Sequence, residues 1–286
     1  MNNNFRFSKY QTWGDFLIIK SDNLENIIKF VIANKVRNIE LNPQLGFVQK
    51  ELSCIKEIAP FIEGLSIVVS DLNLDGIESF TNLKKLYISD GKKFPINFSN
   101  FTKLESCNIV WDTKYASLSE CHQLKELILR KFNNKIEEYN IFQSLINLEH
   151  LDCTQTNLTS LGFLRDLPKL KTFEISYAPK LLDIDGLTYC KKTLTKLEID
   201  HCKRIGNYEA LYSLPNLERL LISDSKEIPT IDFVSKMRKL QHFSFVGTTI
   251  TSGDLSLCAG LKHVGFDNKK HYSHTYEELK RINGTE

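Results

Sequence analysis

The apolar residues of this chain return to one spacing along nearly its whole length. In "LEHLDCTQTNL", Leu148 to Leu158, they stand first, fourth, sixth and last, with polar residues between. An amphipathic helix repeats every three to four residues and a half-buried strand every two, so neither alone writes this pattern. Its opening six residues recur as "VRNIEL" at Val36, "IEGLSI" at Ile62, "LKKLYI" at Leu83, "LESCNI" at Leu104 and "LKELIL" at Leu124. After "LEHLDC" at Leu148 come "LKTFEI" at Leu170, "LTKLEI" at Leu194, "LERLLI" at Leu217, "LQHFSF" at Leu240 and "LKHVGF" at Leu261. Eleven copies whose first positions lie 20 to 26 residues apart predict a solenoid.

Each copy divides into two physical parts. The third to sixth positions alternate as a short strand does, so Leu151 and Cys153 point inward while His150 and Asp152 point outward. Strands of successive turns then stack about 4.8 Å apart as a parallel sheet. The return segment places apolar residues three apart, at Leu158, Leu161, Leu164, Leu167 and Leu170, and again at Ile228, Ile231, Val234, Met237 and Leu240. Period three suits a 3₁₀ or short-helical side. One turn hides too little apolar surface to order itself, so the turns are expected to form one cooperative domain.

The pattern resembles the leucine-rich repeat family over roughly residues 36–270, and its short period is similar to the repeats of internalins and phosphatase regulators. The resemblance implies an α/β fold: a right-handed, curved solenoid with a concave parallel β-sheet, a convex 3₁₀ or short-helix side, and helical caps. The expected division is 1–35 for an N-terminal segment and cap helix, 36–270 for the repeats, and 271–286 for a C-terminal cap. Many relatives place an asparagine three residues after the motif's sixth position, where it bonds the corner backbone. Here that column holds none. Ser70, Thr156, Ser225 and Thr248 are expected to serve the corner more weakly, Cys202 matches a family variant, and the corners at Phe132 and Ala178 are expected to be irregular.

Three helices are predicted beside the repeats. "SDNLENIIKFVIANK" carries Leu24, Ile27, Ile28, Val31 and Ile32 on one face, with Asp22 and Glu25 spaced as a capping box. "HTYEELKRING" carries the pair Thr275 and Glu278, with Gly284 as a stop. "GFVQKELSCIKEIAPFIEG" sets Leu52, Ile55, Ile58 and Ile62 on one side.

Composition narrows the function. Hydrophobic residues make up 42%, charged residues 25%, and the net charge is +2, ordinary for a soluble globular protein. The N-terminus lacks a signal-peptide core and no apolar run is long enough to span a membrane. Seven cysteines, an odd number without a CxxC pair, fit a reducing cytoplasmic setting. No nucleotide-binding, zinc-protease or nucleophile-elbow motif occurs. "DLNLDGIESF" from Asp71 breaks the calcium-loop ligand series at Leu72 and Leu74. His271 and His274, even with His263, fall short of a zinc ligand set and read as a polar closing segment. Cys107 and Cys153 fall at inward strand positions and Cys121, Cys190 and Cys258 on the convex side, as small buried hydrophobes do. No catalytic residue, metal or cofactor is expected.

What remains is the outward face of the sheet, the family's usual binding surface. Tyr87, Trp111 and Tyr177 are large aromatics assigned there; they either anchor a partner or pack on their neighbours. Asp152, Glu174 and Glu198 fall in one file with Lys196 and Arg219 beside it. The file is either a ladder of ion pairs, Glu174 with Lys196 and Glu198 with Arg219, or a stripe that docks a basic partner. Asn108, Arg130, His150, His201 and Asp224 complete the candidate site. The expected function is a non-catalytic scaffold, monomeric, that binds a protein. An immunity protein neutralising a toxin through the same face is one alternative. A recognition module of a ubiquitin-ligase-type effector is another, although only about 16 residues follow the last repeat, too few for its catalytic domain. Nucleic acid is disfavoured: Arg130 and Lys131 are few against the acidic file.

Overall fold

The computed structural model describes residues 5–10, 13–68, 72–89, 94–133 and 140–284, so Ser70 and Asp71 lie outside the described residues. All eleven motif copies are strands, and each strand begins at the motif's third position. The chain packs as two compact units, Met1–Leu129 and Arg130–Glu286.

The first unit starts with a hairpin that the repeat pattern does not announce. Strands β1 (Phe7–Tyr10) and β2 (Gly14–Ile18) pair antiparallel, and Gly14 at the turn takes φ +86°, a conformation that suits glycine. Helix α1 (Leu24–Asn34) follows, then β3 (Asn38–Leu41), β4 (Gly64–Ile67), β5 (Lys85–Ile88), β6 (Ser106–Val110) and β7 (Glu126–Arg130). The strands of this unit stand in chain order, and β2 pairs parallel with β3. The hairpin therefore covers the sheet edge that β3 would otherwise expose.

Two helix expectations change here. Asp22 lies inside a short 3₁₀ turn, Ser21–Asn23, that leads into α1, so the Asp22–Glu25 box does not form. Ile27 and Val31 are buried, but Ile32 is 42% exposed, so the apolar face is narrower than its spacing suggested. The helix expected in 46–64 is instead two 3₁₀ turns, Leu52–Ile55 and Ala59–Phe61. Leu52, Ile55, Ile58 and Ile62 are buried as expected. Pro60 explains the break: it lacks the N–H that a continuous helix needs, and its ring would meet the carbonyl of Lys56.

The second unit holds β8 (His150–Thr154), β9 (Thr172–Ser176), β10 (Lys196–Asp200), β11 (Arg219–Ser223), β12 (His242–Ser244), β13 (His263–Gly265) and helix α2 (Tyr276–Ile282). Its strands pair parallel in chain order with like motif positions opposite: Asp152 faces Glu174, Glu174 faces Glu198, and Glu198 faces Leu221. Inward residues such as Leu151, Phe173, Leu197 and Leu220 have no exposed surface.

The three-residue spacing of the return segments becomes a hydrogen-bond chain. Leu164 N–H donates to Leu161 O at 3.0 Å, Leu167 to Leu164 at 3.1 Å and Leu170 to Leu167 at 3.2 Å. Ile231, Val234, Met237 and Leu240 repeat it at 2.9 to 3.0 Å. The same residues that turn the chain also fill the core beneath it.

The corners of the second unit are more uniform than expected. Lys131, Gln155, Tyr177, His201 and Asp224 all take left-handed φ, between 44° and 57°, and Gly247 follows at 71°. Such a φ costs a bulky residue of order 1–3 kcal/mol, so its surroundings must impose it. They do: the N–H groups of Lys131, Gln155, Tyr177 and His201 each donate to a carbonyl of the next strand at 2.8 to 3.0 Å. The next repeat also supplies the corner's polar side chain. Thr156 Oγ1 donates to Phe132 O at 2.6 Å, the Cys202 thiol faces the Ala178 amide, Cys202 N–H donates to Ser225 Oγ at 3.1 Å, and Ser225 N–H donates to Thr248 Oγ1 at 3.1 Å. Phe132 and Ala178 therefore keep regular corners although their own side chains bond nothing there.

Helix α2 ends the unit as predicted. Thr275 and Glu278 form a reciprocal capping box, Leu279 is buried, and Gly284 takes φ +64° just past the end. Asn283 ties the helix back through Gly260 N–H at 2.6 Å and Cys258 O at 3.2 Å.

Candidate protein-binding face

On the outward side of the second unit, the register of β8, β9 and β10 sets Asp152, Glu174 and Glu198 in a row. Lys196 Nζ lies 2.5 Å from Glu174 Oε1 and 3.6 Å from Glu198 Oε2. The first pair matches expectation. The second replaces the expected Glu198–Arg219 pair: a lysine already sits between both glutamates, and Arg219 is exposed and forms no ion pair among the described residues. His150 Nε2 approaches Glu174 Oε1 at 3.7 Å. Arg130, at the end of β7, is half-buried.

Asp152 is the strained member. Burial pushes its carboxyl above the usual 3.8, and the neighbouring Glu174 and Glu198 charges push the same way; the Thr154 hydroxyl and His150 only partly offset this. Such a group costs stability once it ionises, because the folded state then holds its charge less comfortably than the unfolded chain does. The cost is absent below about 3.8 and grows as pH rises through the raised value. Asp152→Asn is therefore expected to raise Tm at pH 7 by about 2 °C and to leave it unchanged near pH 3. Melting curves at the two pH values check this, and a gain that persists at low pH would point to packing rather than charge.

Beside the acidic row, the left-handed corners present a second feature. Tyr177 is 49% exposed and its ring stacks on His201, centroids 4.3 Å apart and 23° between planes. His201 Nδ1 lies 2.8 Å from Asp200 Oδ2, and Asp200, His201 and Asp224 can bring ligand atoms within 4.8 Å of one another. This is the metal-ready group among the described residues, and His271 and His274 are not in it. His271 bonds Ile250 O at 3.0 Å and His274 bonds Ser273 Oγ at 2.8 Å.

In the first unit, Trp111 corrects the sequence reading. It was assigned outward but is only 5% exposed, packed edge-on against Tyr115 with centroids 6.5 Å apart. An aromatic at the corner position can turn under the 3₁₀ turn that follows, Thr113–Glu120, which spacing alone does not reveal. Tyr87 does point outward, yet Trp13 lies edge-on to it at 6.4 Å. Trp13, Tyr10 and Glu126 belong to this surface and were missed. The available signal was the apolar alternation on either side of Gly14 in "FRFSKYQTWGDFLII", which marks a hairpin.

Six of the seven cysteines are buried, and Cys54 is half-buried. Burial pushes the Cys121 and Cys258 thiols up to about 12 and those of Cys190 and Cys202 to about 11. No helix among the described residues is long and apolar enough to cross a membrane.

Residues 146–189 match the family model for Leucine Rich repeats in two copies, the segment that carries β8 and β9 in register. The chain carries leucine-rich repeats and folds as their solenoid. Among solved structures, this leucine-rich repeat protein is similar to the mouse RP105/MD-1 complex at 16% identity, covering 75% of this chain and 43% of that one, with a TM-score of 0.51. It also aligns with an internalin, InlF, of Listeria monocytogenes at 14% identity, over 76% and 79% of the two chains, with a TM-score of 0.47. Internalin C2 of the same organism aligns at 15% identity over 69% and 76%, with a TM-score of 0.42. No curated protein sequence matches this leucine-rich repeat protein. The leucine-rich repeat fold is in general that of a protein-interaction scaffold.

Proposed function

We propose that this chain is a non-catalytic scaffold that binds a basic protein surface on the outward face of its second unit. The carrying observation is the row Asp152, Glu174 and Glu198, three carboxylates in one register with a single lysine between them. Like charges set opposite each other across a parallel sheet oppose folding. A cation from a partner relieves that repulsion, so the folding cost becomes binding energy. The Tyr177–His201 stack beside the row supplies an exposed aromatic of the kind that anchors interfaces. A sheet held by ladder hydrogen bonds is already ordered, which lowers the entropy cost of docking. Arg219 at the border suits an acidic residue of the same partner. A cytoplasmic setting is part of this reading.

The test is affinity capture on the immobilised chain from the cells that express it, run in parallel with Glu174→Lys plus Glu198→Lys. Proteins retained by the native chain, released by salt and reduced at least tenfold by the double reversal support the reading. An unchanged retained set removes the acidic row from the argument. The identity of the captured protein then separates the roles: a toxin encoded beside the gene assigns immunity, and a housekeeping enzyme assigns regulation.

A further inference from the structure

On the first unit, a cavity of about 240 Å³ is lined by Tyr10, Trp13, Ser66, Tyr87, Asn108, Glu126 and Ile128. Three hydrogen bonds pin Trp13 and Tyr10. Trp13 Nε1–H donates to Glu126 Oε2 at 3.0 Å, Lys85 Nζ donates to Trp13 O at 2.8 Å, and the Tyr10 hydroxyl donates to Glu40 Oε2 at 3.1 Å. The indole is 9% exposed and meets the Tyr87 ring edge-to-face. These contacts hold the walls around a half-open space rather than close it.

The cavity's chemistry is one-sided. Its walls include one indole and two phenol rings, and ring faces attract cations. Its polar groups mostly accept. Glu126 brings a carboxylate that already takes hydrogen bonds from Trp13 and the Ser106 hydroxyl. Asn108 Oδ1 is a buried carbonyl oxygen that no donor reaches. An acceptor buried without a partner costs about 1–3 kcal/mol, which a native chain seldom bears without a use. Burial, followed by the Glu40 carboxylate, pushes the Tyr10 phenol above its usual value, and the Ser66 hydroxyl only partly offsets this. At 240 Å³ the space falls below the ~300 Å³ at which cofactor and drug-sized sites begin, so it takes one side chain.

We propose that this cavity is a subsite for the guanidinium of an arginine presented by a partner protein. A guanidinium is planar and donor-only, stacks on aromatic faces and is weakly hydrated, so it meets the rings, the Glu126 carboxylate and the orphan Asn108 oxygen together. An ammonium is a compact, strongly hydrated charge and satisfies fewer of them. All residues of the subsite belong to the first unit, and its test needs no natural partner.

The full chain is titrated with Nα-acetyl-L-arginine N-methylamide and with the lysine and norleucine analogues, following the Trp13 indole N–H by NMR. Saturable binding of the arginine probe is expected with a Kd on the order of a millimolar, the range open to one small group. The lysine probe is expected to bind at least about fivefold more weakly, and the norleucine probe not to saturate. Asn108→Leu is expected to weaken arginine binding about fivefold or more, by removing one hydrogen bond to a charged group. Asn108→Asp, which adds a carboxylate and gives a gain rather than a loss, is expected to tighten it at least about threefold. Absence of saturation, equal binding of the norleucine probe, or an affinity unmoved in both folded variants overturns the proposal.

Discussion

Gly186→Ala is expected to destabilise the protein by about 3 kcal/mol, at the upper end for overpacking. Gly186 lies in the 3₁₀ turn Asp185–Cys190, which stacks on the preceding turn, Gly162–Asp166. A Cβ there would sit 1.9 Å from Leu161 O and 2.9 Å from Gly162 N, both backbone atoms. Leu161 O cannot retreat freely, because it accepts the Leu164 N–H at 3.0 Å and so starts the hydrogen-bond chain of its own turn. Clearing the methyl group means separating two stacked turns, not rotating a side chain. For a domain of this size the loss corresponds to a fall in Tm of about 10 °C. Gly162→Ala is the control. Nothing lies within 4 Å of its added Cβ, so its stability should stay within about 0.5 kcal/mol of the parent. Thermal melts of the two variants decide the matter: equal Tm values would mean that the return segments do not stack as described.

That contrast marks where the sequence is legible and where it is not. The strands were readable because a period-two core inside a period near 22 has one low-energy arrangement, and each motif copy became a strand from its third position. The apolar triplets Leu161–Leu164–Leu167 were readable because 3₁₀ geometry returns every third side chain to the same side. Gly162 and Gly186 look alike in sequence. Only the stacking of one turn on the next makes Gly186 obligatory and Gly162 free, and that relation links residues one repeat apart. The candidate face divides the same way. Asp152, Glu174 and Glu198 were placed correctly because parallel register follows from the repeat. Trp111 was misplaced because a corner residue can turn toward either side, and the choice rests on Tyr115. The hairpin over Tyr87 was missed because residues 5–18 lie outside the repeat.

The corners carry the second large expected effect. Where relatives place asparagine, this chain uses hydroxyls that reach back one repeat, and two of them are almost fully buried, Thr156 and Thr248 at 2% exposure each. Thr156 Oγ1 donates to Phe132 O and accepts Leu158 N–H at 3.3 Å, so one hydroxyl serves two backbone groups. Thr248 Oγ1 accepts Ser225 N–H. Valine has nearly the shape of threonine but offers no polar atom, so Thr156→Val leaves the buried Leu158 amide without its acceptor and the Phe132 carbonyl with a longer bond from Asn157 N–H at 3.4 Å. An orphaned buried amide costs about 1–3 kcal/mol and a lost hydrogen bond about 1, which puts Thr156→Val near 3 kcal/mol and Thr248→Val near 2. The two threonines share no partner, so the double variant should lose close to the sum. Asparagine at 156 tests the same idea from the other side. Its amide both donates and accepts, so Thr156→Asn should recover much of what valine loses. Denaturant titration of the parent and the four variants reads all of this from the midpoints. If Thr156→Val unfolds at the parent's midpoint, the left-handed corners rest on the strand ladder alone and the hydroxyl column is incidental.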